Sequence, residues 1–331
     1  MATSEALRKT HAVQVQHVGG ADALEWQAVD VGKLNENEVL VQHAAIGVNY
    51  IDVYHRTGFY PLPLPLVPGV EGAGTVVEVG SGVIDFKPGD RVAYGGIVGS
   101  YQELRRIPAD RLLHIPESIS FEVAAAMMLQ GMTAQVLLKQ VYAVQRGETI
   151  MVHAAAGGTG LILCQWASSL GATVIGTVSS AEKAEIARRN GCTYPIVHGQ
   201  EDFVERVAEI TSGRKLPVVY DSIGRDTFVR SLDCLAPRGL MVSFGQASGA
   251  IPPFDVTVLA QKGSLYLTRP SVFTFIKERV QLQSVFADVL EQVSSGAVGI
   301  RVHHRYPLRD AAQAHRDLEA RKTTGPVILI P

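Results

Sequence analysis

The run Ala154-Ala155-Ala156-Gly157-Gly158-Thr159-Gly160 is the sharpest candidate for chemistry in this chain of 331 residues. Glycines let the backbone turn tightly and approach a pyrophosphate with no side chain in the way. A helix that starts in such a loop offers unpaired amides and the positive end of its dipole to the anion. The spacing departs from G-x-G-x-x-G, and a tight strand-to-helix turn without a ligand would use the same residues. The setting favours the nucleotide. A buried strand, Thr149 to His153, precedes the loop, a helix from Gly160 to Leu170 follows, and a second strand, Ala172 to Val178, comes next.

The end of that second strand speaks to coenzyme choice. A site for NAD places an acid there, about 20 residues past the glycines, to hold the ribose 2′-hydroxyl. Here the chain reads Gly176-Thr177-Val178-Ser179-Ser180, without one. Ser179 and Glu182 have capping-box spacing, which predicts Ser179 as the N-cap of the next helix. Lys183 then falls in the first helical turn, where the dipole disfavours a cation unless a bound 2′-phosphate accompanies it. A solvated lysine near Glu182 or Glu185 is the alternative. NADPH is the coenzyme expected.

Two kinds of chain position these residues. From residue 10 to about 130, short β-like runs are bounded by turns: Glu38 to Ala44 alternates, Thr75 to Val79 is followed by Gly80-Ser81-Gly82, and Lys87-Pro88-Gly89-Asp90 precedes Arg91. This predicts a small, mainly antiparallel β domain, partly closed as a barrel. The apolar, proline-rich residues 59 to 68 cannot supply a central strand's amides and are read as a loop. Beyond Phe121 to Leu129, an Ala- and Met-rich helix, strands and helices alternate. Helices are expected at Ala181 to Asn190 and Arg225 to Leu235, and strands at Pro217 to Tyr220 and Leu240 to Phe244. This is the rhythm of a doubly wound parallel sheet. The last sixty residues predict a long helix from about Phe273 to Ser294, a shorter one from Leu308 to Ala320, and a strand, Pro326 to Ile330, able to return to the first domain.

Composition narrows the class. Hydrophobic residues make up 47% and charged residues 19%, and 30 Lys and Arg against 32 Asp and Glu leave a net charge of -2. Those values exclude a long disordered chain and argue against a globally basic nucleic-acid binder. Cys164, Cys192 and Cys234 are too few and too dispersed for a disulfide scaffold and fit a reducing compartment. Met1 to His11 has no apolar run of a secretory signal. The most membrane-like stretch, Thr149 to Val178, is better read as strand, helix and strand. A cytoplasmic protein, not bound to a membrane, is expected.

The chain resembles the medium-chain dehydrogenases/reductases, and within them the zinc-free quinone oxidoreductases related to zeta-crystallin, with the bacterial NADPH:quinone reductases nearest. The resemblance runs over nearly the whole chain. It rests on Asn49-Tyr50-Ile51-Asp52, Gly69-Val70-Glu71-Gly72-Ala73-Gly74, the glycine loop, Tyr220-Asp221-Ser222-Ile223-Gly224, Val242-Ser243-Phe244-Gly245, Gln261 to Leu265 and the terminal Ile328-Leu329-Ile330-Pro331. It implies an α/β protein with a GroES-like catalytic domain over residues 1 to 131, a Rossmann domain over 132 to 269, a return to the catalytic domain over 270 to 331, and an active site in the cleft between them. Zinc relatives carry a Cys where Val48-Asn49 stands and a His where Val70 stands, and the four clustered cysteines of their structural zinc site are missing. No metal is expected, and His303-His304 lack ligands at useful spacing.

The resemblance places Asn49, Tyr54, Tyr60 and Gln130 in the presumed cleft. Asn49 would donate to the quinone oxygen as charge develops, and the tyrosines would shape the slot, although packing in an aromatic loop accounts for them as well. The implied coenzyme contacts are Asn49, Thr133, Ala156, Gly157, Gly158, Thr159, Gly160, Ser179, Lys183, His198, Ser222, Phe244, Gly245 and Arg321. His198 replaces a tyrosine common in bacterial members, and Gln130 replaces a lysine of a close relative.

An NADPH-dependent quinone reductase is the leading reading, with an enone or 2-alkenal reductase as its rival. A nucleotide-binding protein that binds RNA or serves a structural purpose is a reading of another class, through Arg105-Arg106, Arg188-Arg189 and Arg301 with His303-His304. The charge balance makes those residues ordinary solvated charges. A homodimer is expected through the Rossmann edge near Ser264 to Leu267, where apolar residues alternate.

Overall fold

The structure, a computed structural model, describes residues 8–331. The first seven residues of the stretch read for a secretory signal lie outside it. In chain order the first elements are β1 (Lys9–Val15), β2 (Leu24–Asp30), β3 (Glu38–Val48), α1 (Tyr50–Arg56), β4 (Glu71–Val79), β5 (Arg91–Gly95), β6 (Leu104–Pro108), β7 (Leu113–His114) and α2 (Phe121–Gln135). Next come β8 (Thr149–Val152), α3 (Gly158–Ser169), β9 (Thr173–Val178), α4 (Ala181–Arg189), β10 (Tyr194–Val197), α5 (Phe203–Ile210), β11 (Leu216–Asp221), α6 (Phe228–Ser231), β12 (Leu235–Ser243), α7 (Thr257–Gln261), β13 (Tyr266–Thr268) and α8 (Val272–Phe275). The chain ends with α9 (Arg279–Ser294), β14 (His304–Pro307), α10 (Ala311–Glu319) and β15 (Val327–Ile330).

Two compact units emerge. The first holds the described residues up to Leu129, Glu278–Phe286 and Ile300–Pro331; the second holds Gln130–Lys277 and Ala287–Gly299. Residues 270 to 277 and 287 to 299 thus lie in the second unit, and the return segment is shorter than the 270 to 331 expected.

The first unit is built on a seven-stranded sheet ordered β14-β15-β3-β4-β5-β7, with β6 also paired to β3. Its pairings are antiparallel except that of β14 with β15. The hydrophobic Val327, Ile328 and Leu329 bring the chain's end back to β3, with Val327 opposite Val48 and Leu329 opposite Ile46. All three are at most 2% exposed, each burial stabilising by roughly 1.5–3 kcal/mol. The proline-rich residues 59 to 68 are a loop, tied to β1 through Leu66, whose amide donates to the Val15 carbonyl.

The second unit is a wholly parallel six-stranded sheet in the order β10-β9-β8-β11-β12-β13, the doubly wound order with its switch point between β8 and β11. Every residue of β8, β9 and β11 is buried or half-buried. That explains why these segments read as continuous apolar runs without alternation.

Three expectations change. The sequence reading passed over β10 and α5. Pro195 tells against a strand, but β10 is the sheet's last strand, where a missing amide is tolerated; α5 is capped by Asp202, whose carboxylate accepts from the Val204 and Glu205 amides. The helix expected from Arg225 to Leu235 shrinks to α6 and a 3-10 turn, Leu232–Cys234, because the Asp221 carboxylate claims the Ile223 and Gly224 amides for a loop. The long helix from Phe273 divides into α8 and α9, with Ile276 fully buried at the break. Among the described residues one helix, Phe121–Val141, is long and apolar enough to cross a membrane, and 78% of its apolar window is buried within the protein.

Candidate active site

In the second unit the C-terminal ends of the parallel strands carry most of the anticipated coenzyme residues. The loop after β8 reaches the N-terminus of α3, with Gly157 as its N-cap. A Cβ at Gly160 would lie 2.2 Å from the Ala154 carbonyl oxygen, so only glycine lets the helix start this close to the strand. Ala154 itself has φ +54°, and Ala156 is buried beside it. Thr159 is half-buried in the first turn of α3. The buried Gln130 on α2 lies against Gly158, and Thr133 follows one turn later, half-buried.

Beyond β9 the expected cap is corrected. Ser180, not Ser179, is the N-cap of α4: its hydroxyl accepts from the Lys183 amide at 3.2 Å. Ser179 is left exposed at the strand end. His198, just past β10, is brought beside it, its amide donating to the Val178 carbonyl at 2.8 Å. Ser222 and Gly245 leave β11 and β12 as neighbours, since a Cβ at Gly245 would meet the Ser222 carbonyl at 2.6 Å. The Phe244 amide donates to the Asp221 carbonyl. The fold thus gathers Ala156 to Gly160, Ser179, Lys183, His198, Ser222, Phe244 and Gly245 along one sheet edge.

A buried polar cluster beneath this edge escaped the sequence reading. One His153 ring nitrogen meets Thr177 Oγ1 and the other Ser231 Oγ, each at 2.9 Å. Burial holds this imidazole below its ordinary value and keeps it neutral. Asp221 accepts from the Thr227 hydroxyl at 2.7 Å as well as from the two loop amides. Ser231, whose hydroxyl also reaches Asp221 Oδ2 at 3.4 Å, thereby links His153, just past β8, and Thr177 on β9 to β11. The readable signal was an Asp closing an apolar strand before Ser-Ile-Gly, which marks an Asx-type turn. Arg269 also escaped notice; its guanidinium donates to the Ser243 and Gly245 carbonyls.

In the first unit Asn49 follows β3 and caps α1. Its amide donates to Asp52 Oδ2 at 2.8 Å, and the Asp52 amide donates back to the Asn49 carbonyl at 3.0 Å. Asn49 is 7% exposed, and its Nδ2 donates to Glu71 Oε1 at 2.5 Å. Glu71 is fully buried, which pushes its carboxyl up to about 8. Asp52 is pushed up to about 7 for the same reason.

From Asp52 a hydrogen-bonded chain runs through the Tyr101 hydroxyl (3.0 Å) to His315 Nε2 (2.9 Å), and from His315 Nδ1 to Arg56 (3.2 Å). Arg56, 1% exposed, forms a bidentate pair with Glu319. The chain anchors α1 to α10. Tyr54 and Tyr60 do come together: their rings are 5.0 Å apart, with Phe59 packed on both. Arg321 follows α10, exposed, with φ +58°.

Residues 158–293 match a family model described as zinc-binding dehydrogenase, and residues 35–117 match the alcohol dehydrogenase GroES-like domain. The chain is 48% identical over 321 residues to a quinone oxidoreductase of Pseudomonas aeruginosa, covering 96% of this chain and 99% of that one. It is 43% identical over 329 residues to a 2-haloacrylate reductase of a Burkholderia species, covering 97% and 98%. Among solved structures, Escherichia coli quinone oxidoreductase complexed with NADPH aligns with a TM-score of 0.93 and 47% identity, over 97% of this chain and all of that one.

Proposed function

We propose that this chain, which belongs to the quinone oxidoreductase branch of the medium-chain dehydrogenase/reductase family, is an NADPH-dependent quinone reductase that works without a metal ion. The observation that carries the reading is the full-length likeness to quinone oxidoreductases, one of them solved with NADPH.

The residues fit that coenzyme. The close turn at Gly158 to Gly160 and the start of α3 suit a pyrophosphate. The absence of an acid after β9, with Ser179, Lys183 and His198 grouped there, suits a 2′-phosphate. We assign Thr133, Ala156 to Gly160, Ser222, Phe244, Gly245 and Arg321 to the remaining coenzyme contacts. Bound NADPH supplies a hydride. A quinone is already electrophilic and becomes aromatic on reduction, so the protein's task is mainly to orient the two partners. Asn49 donates to the quinone oxygen as negative charge develops. Tyr54 and Tyr60, whose rings pack together, shape the acceptor slot, and water supplies the proton.

Metal independence is supported by Val70 and Asn49, which offer no imidazole or thiolate where zinc relatives do. Among the described residues no three His, Cys, Asp or Glu side chains gather as metal ligands would. A homodimer through β13 is supported by its place at the end of the sheet, with Tyr266 60% and Leu267 38% exposed. The free cysteines, all three buried, fit a cytoplasmic setting.

The 2-haloacrylate reductase relative favours a second reading, hydride delivery to an activated carbon–carbon double bond. Parallel rates with quinones and conjugated enones under NADPH decide between them. Faster quinone turnover is expected; faster enone turnover would replace the first reading with the second.

A further inference from the structure

We propose that His153 is a positioning residue for the coenzyme: through Thr177 it holds Ala154 in the left-handed turn that leads into α3, and so keeps the first amides of that helix where a pyrophosphate needs them. The inference deepens the NADPH-dependent reading and rests on it for the identity of the anion, though not for the hold on Ala154.

Ala154 turns the chain from β8 toward α3 with φ +54°, a region that favours glycine. Its carbonyl accepts from the amide of Gly157, the N-cap of α3, at 2.9 Å. The same oxygen is the atom that a Cβ at Gly160 would meet. Moving Ala154 therefore moves the N-terminus of α3. A strained residue keeps its conformation only where its surroundings hold it there, and Thr177 near the end of β9 does so twice. The Thr177 carbonyl accepts from the Ala155 amide at 2.9 Å, and its hydroxyl oxygen accepts from the Ala154 amide at 3.4 Å.

The second bond depends on where the Thr177 proton points, and His153 decides that. Among the described residues Thr177 Oγ1 meets two groups: the Ala154 amide, which only donates, and His153 Nδ1 at 2.9 Å. The threonine proton goes to Nδ1, and a neutral imidazole that accepts there carries its own proton on Nε2. Nε2–H donates to Ser231 Oγ at 2.9 Å. The serine proton goes on to the Thr227 carbonyl at 2.9 Å or to Asp221 Oδ2 at 3.4 Å. All these hydrogen bonds run in one direction, from the Ala154 amide to α6 and β11. Burial keeps the ring neutral, and Phe203 stands edge-on to it at 5.2 Å.

Without Nδ1 the threonine proton has to find another acceptor, and the hydroxyl turns away from the Ala154 amide. Ala154 then leaves the left-handed region for part of the time. Coenzyme affinity falls with the fraction of molecules in which the turn is formed. A glycine at position 154 has no such preference to overcome.

Coenzyme titrations and amide hydrogen exchange on full-length variants test this. His153→Gln keeps a donor for Ser231 and removes the acceptor from Thr177, whereas His153→Asn keeps an oxygen near the place of Nδ1. His153→Gln should weaken NADPH and NADH alike by about five- to tenfold, the worth of one hydrogen bond, because both carry the pyrophosphate. At saturating NADPH its kcat should stay within about twofold of the parent. His153→Asn should lose less, and adding Ala154→Gly to His153→Gln should restore most of the affinity. In the coenzyme-free protein the Ala155 and Gly157 amides should exchange faster in His153→Gln, while those of β12 keep their rates. A loss that Ala154→Gly does not relieve, a loss confined to NADPH, or affinity and exchange that both stay as in the parent overturns the inference. Faster exchange at the two amides with both affinities unchanged supports the hold on Ala154 and removes the pyrophosphate from this turn instead. Thr177→Val lacks the hydroxyl altogether and gives the same test if His153→Gln does not fold: the same loss is expected, relieved again by Ala154→Gly.

Discussion

The Gln130 carboxamide lies across Gly158: a Cβ at that glycine would fall 2.3 Å from Gln130 Oε1, whereas a Cβ at Gly160 would fall 2.2 Å from the Ala154 backbone oxygen. The two glycines look alike in sequence but are held against different obstacles. A side-chain end can move or be removed; a carbonyl at the end of a buried strand cannot.

Gly158→Ala should therefore weaken NADPH binding and lower Tm, and Gln130→Ala should relieve most of that damage in the double variant. Gly160→Ala should be as harmful with Gln130 as without it. A coupling energy of about 1 kcal/mol or more is expected for the first pair and near zero for the second. Denaturant titration of the three single and two double variants measures both, and equal couplings would contradict the distinction.

Around the adenosine end, Lys183→Ala should lose about tenfold or more in NADPH affinity, the worth of one charge-assisted contact of roughly 1.5–3 kcal/mol. NADH affinity should change little. Coenzyme titrations followed by nicotinamide fluorescence check this, and equal weakening of both coenzymes would make Lys183 a support of the fold.

The neighbouring serines should separate by role. Ser180→Ala removes the N-cap of α4 and should destabilise the protein by about 1 kcal/mol. Ser179→Ala should leave unfolding unchanged and weaken NADPH more than NADH. Paired unfolding and binding curves would expose the opposite assignment.

Exhaustive chelation should leave quinone reduction unchanged, because neither zinc site of the zinc relatives has its ligands here. Activity lost on chelation and restored by zinc would refute this. The measurement needs the same preparation before and after metal removal, assayed with one quinone.

Stability should peak in a middle pH range, for reasons that have opposite signs. His43 and His315 are buried and held at about 4 and about 3, below the ordinary 6.5. The unfolded chain then binds more protons, so stability is lost as pH falls below about 6.5. Asp52 and Glu71 are raised to about 7 and about 8 from 3.8 and 4.5. Their contribution is full below the ordinary values and is lost as pH rises through the raised ones. Denaturation midpoints across pH should show both flanks, and Glu71→Gln should flatten the alkaline flank alone.

The sequence by itself determined most of the architecture and the place of the glycine turn between β8 and α3. Local rules sufficed there: continuous apolar runs mark strands buried on both faces, glycines mark a close turn, and a missing acid after Val178 is visible without coordinates. Where local rules misled, neighbours in the sheet or a competing cap had decided. Pro195 was acceptable because β10 has no further strand to serve, and Ser180 took the cap from Ser179 although both precede the same helix. What only the tertiary structure decided was the buried polar partners. Glu71 is twenty-two residues from Asn49 and His315 is more than two hundred from Tyr101, and no periodicity connects them. A hydrogen bond between distant strands or helices depends on register and approach measured in tenths of an ångström, which the one-dimensional pattern does not encode. The same holds for a carboxylate's proton affinity: Glu71 is an ordinary acid in the sequence, and its enclosure among β3, β4 and α2 pushes its carboxyl up to about 8.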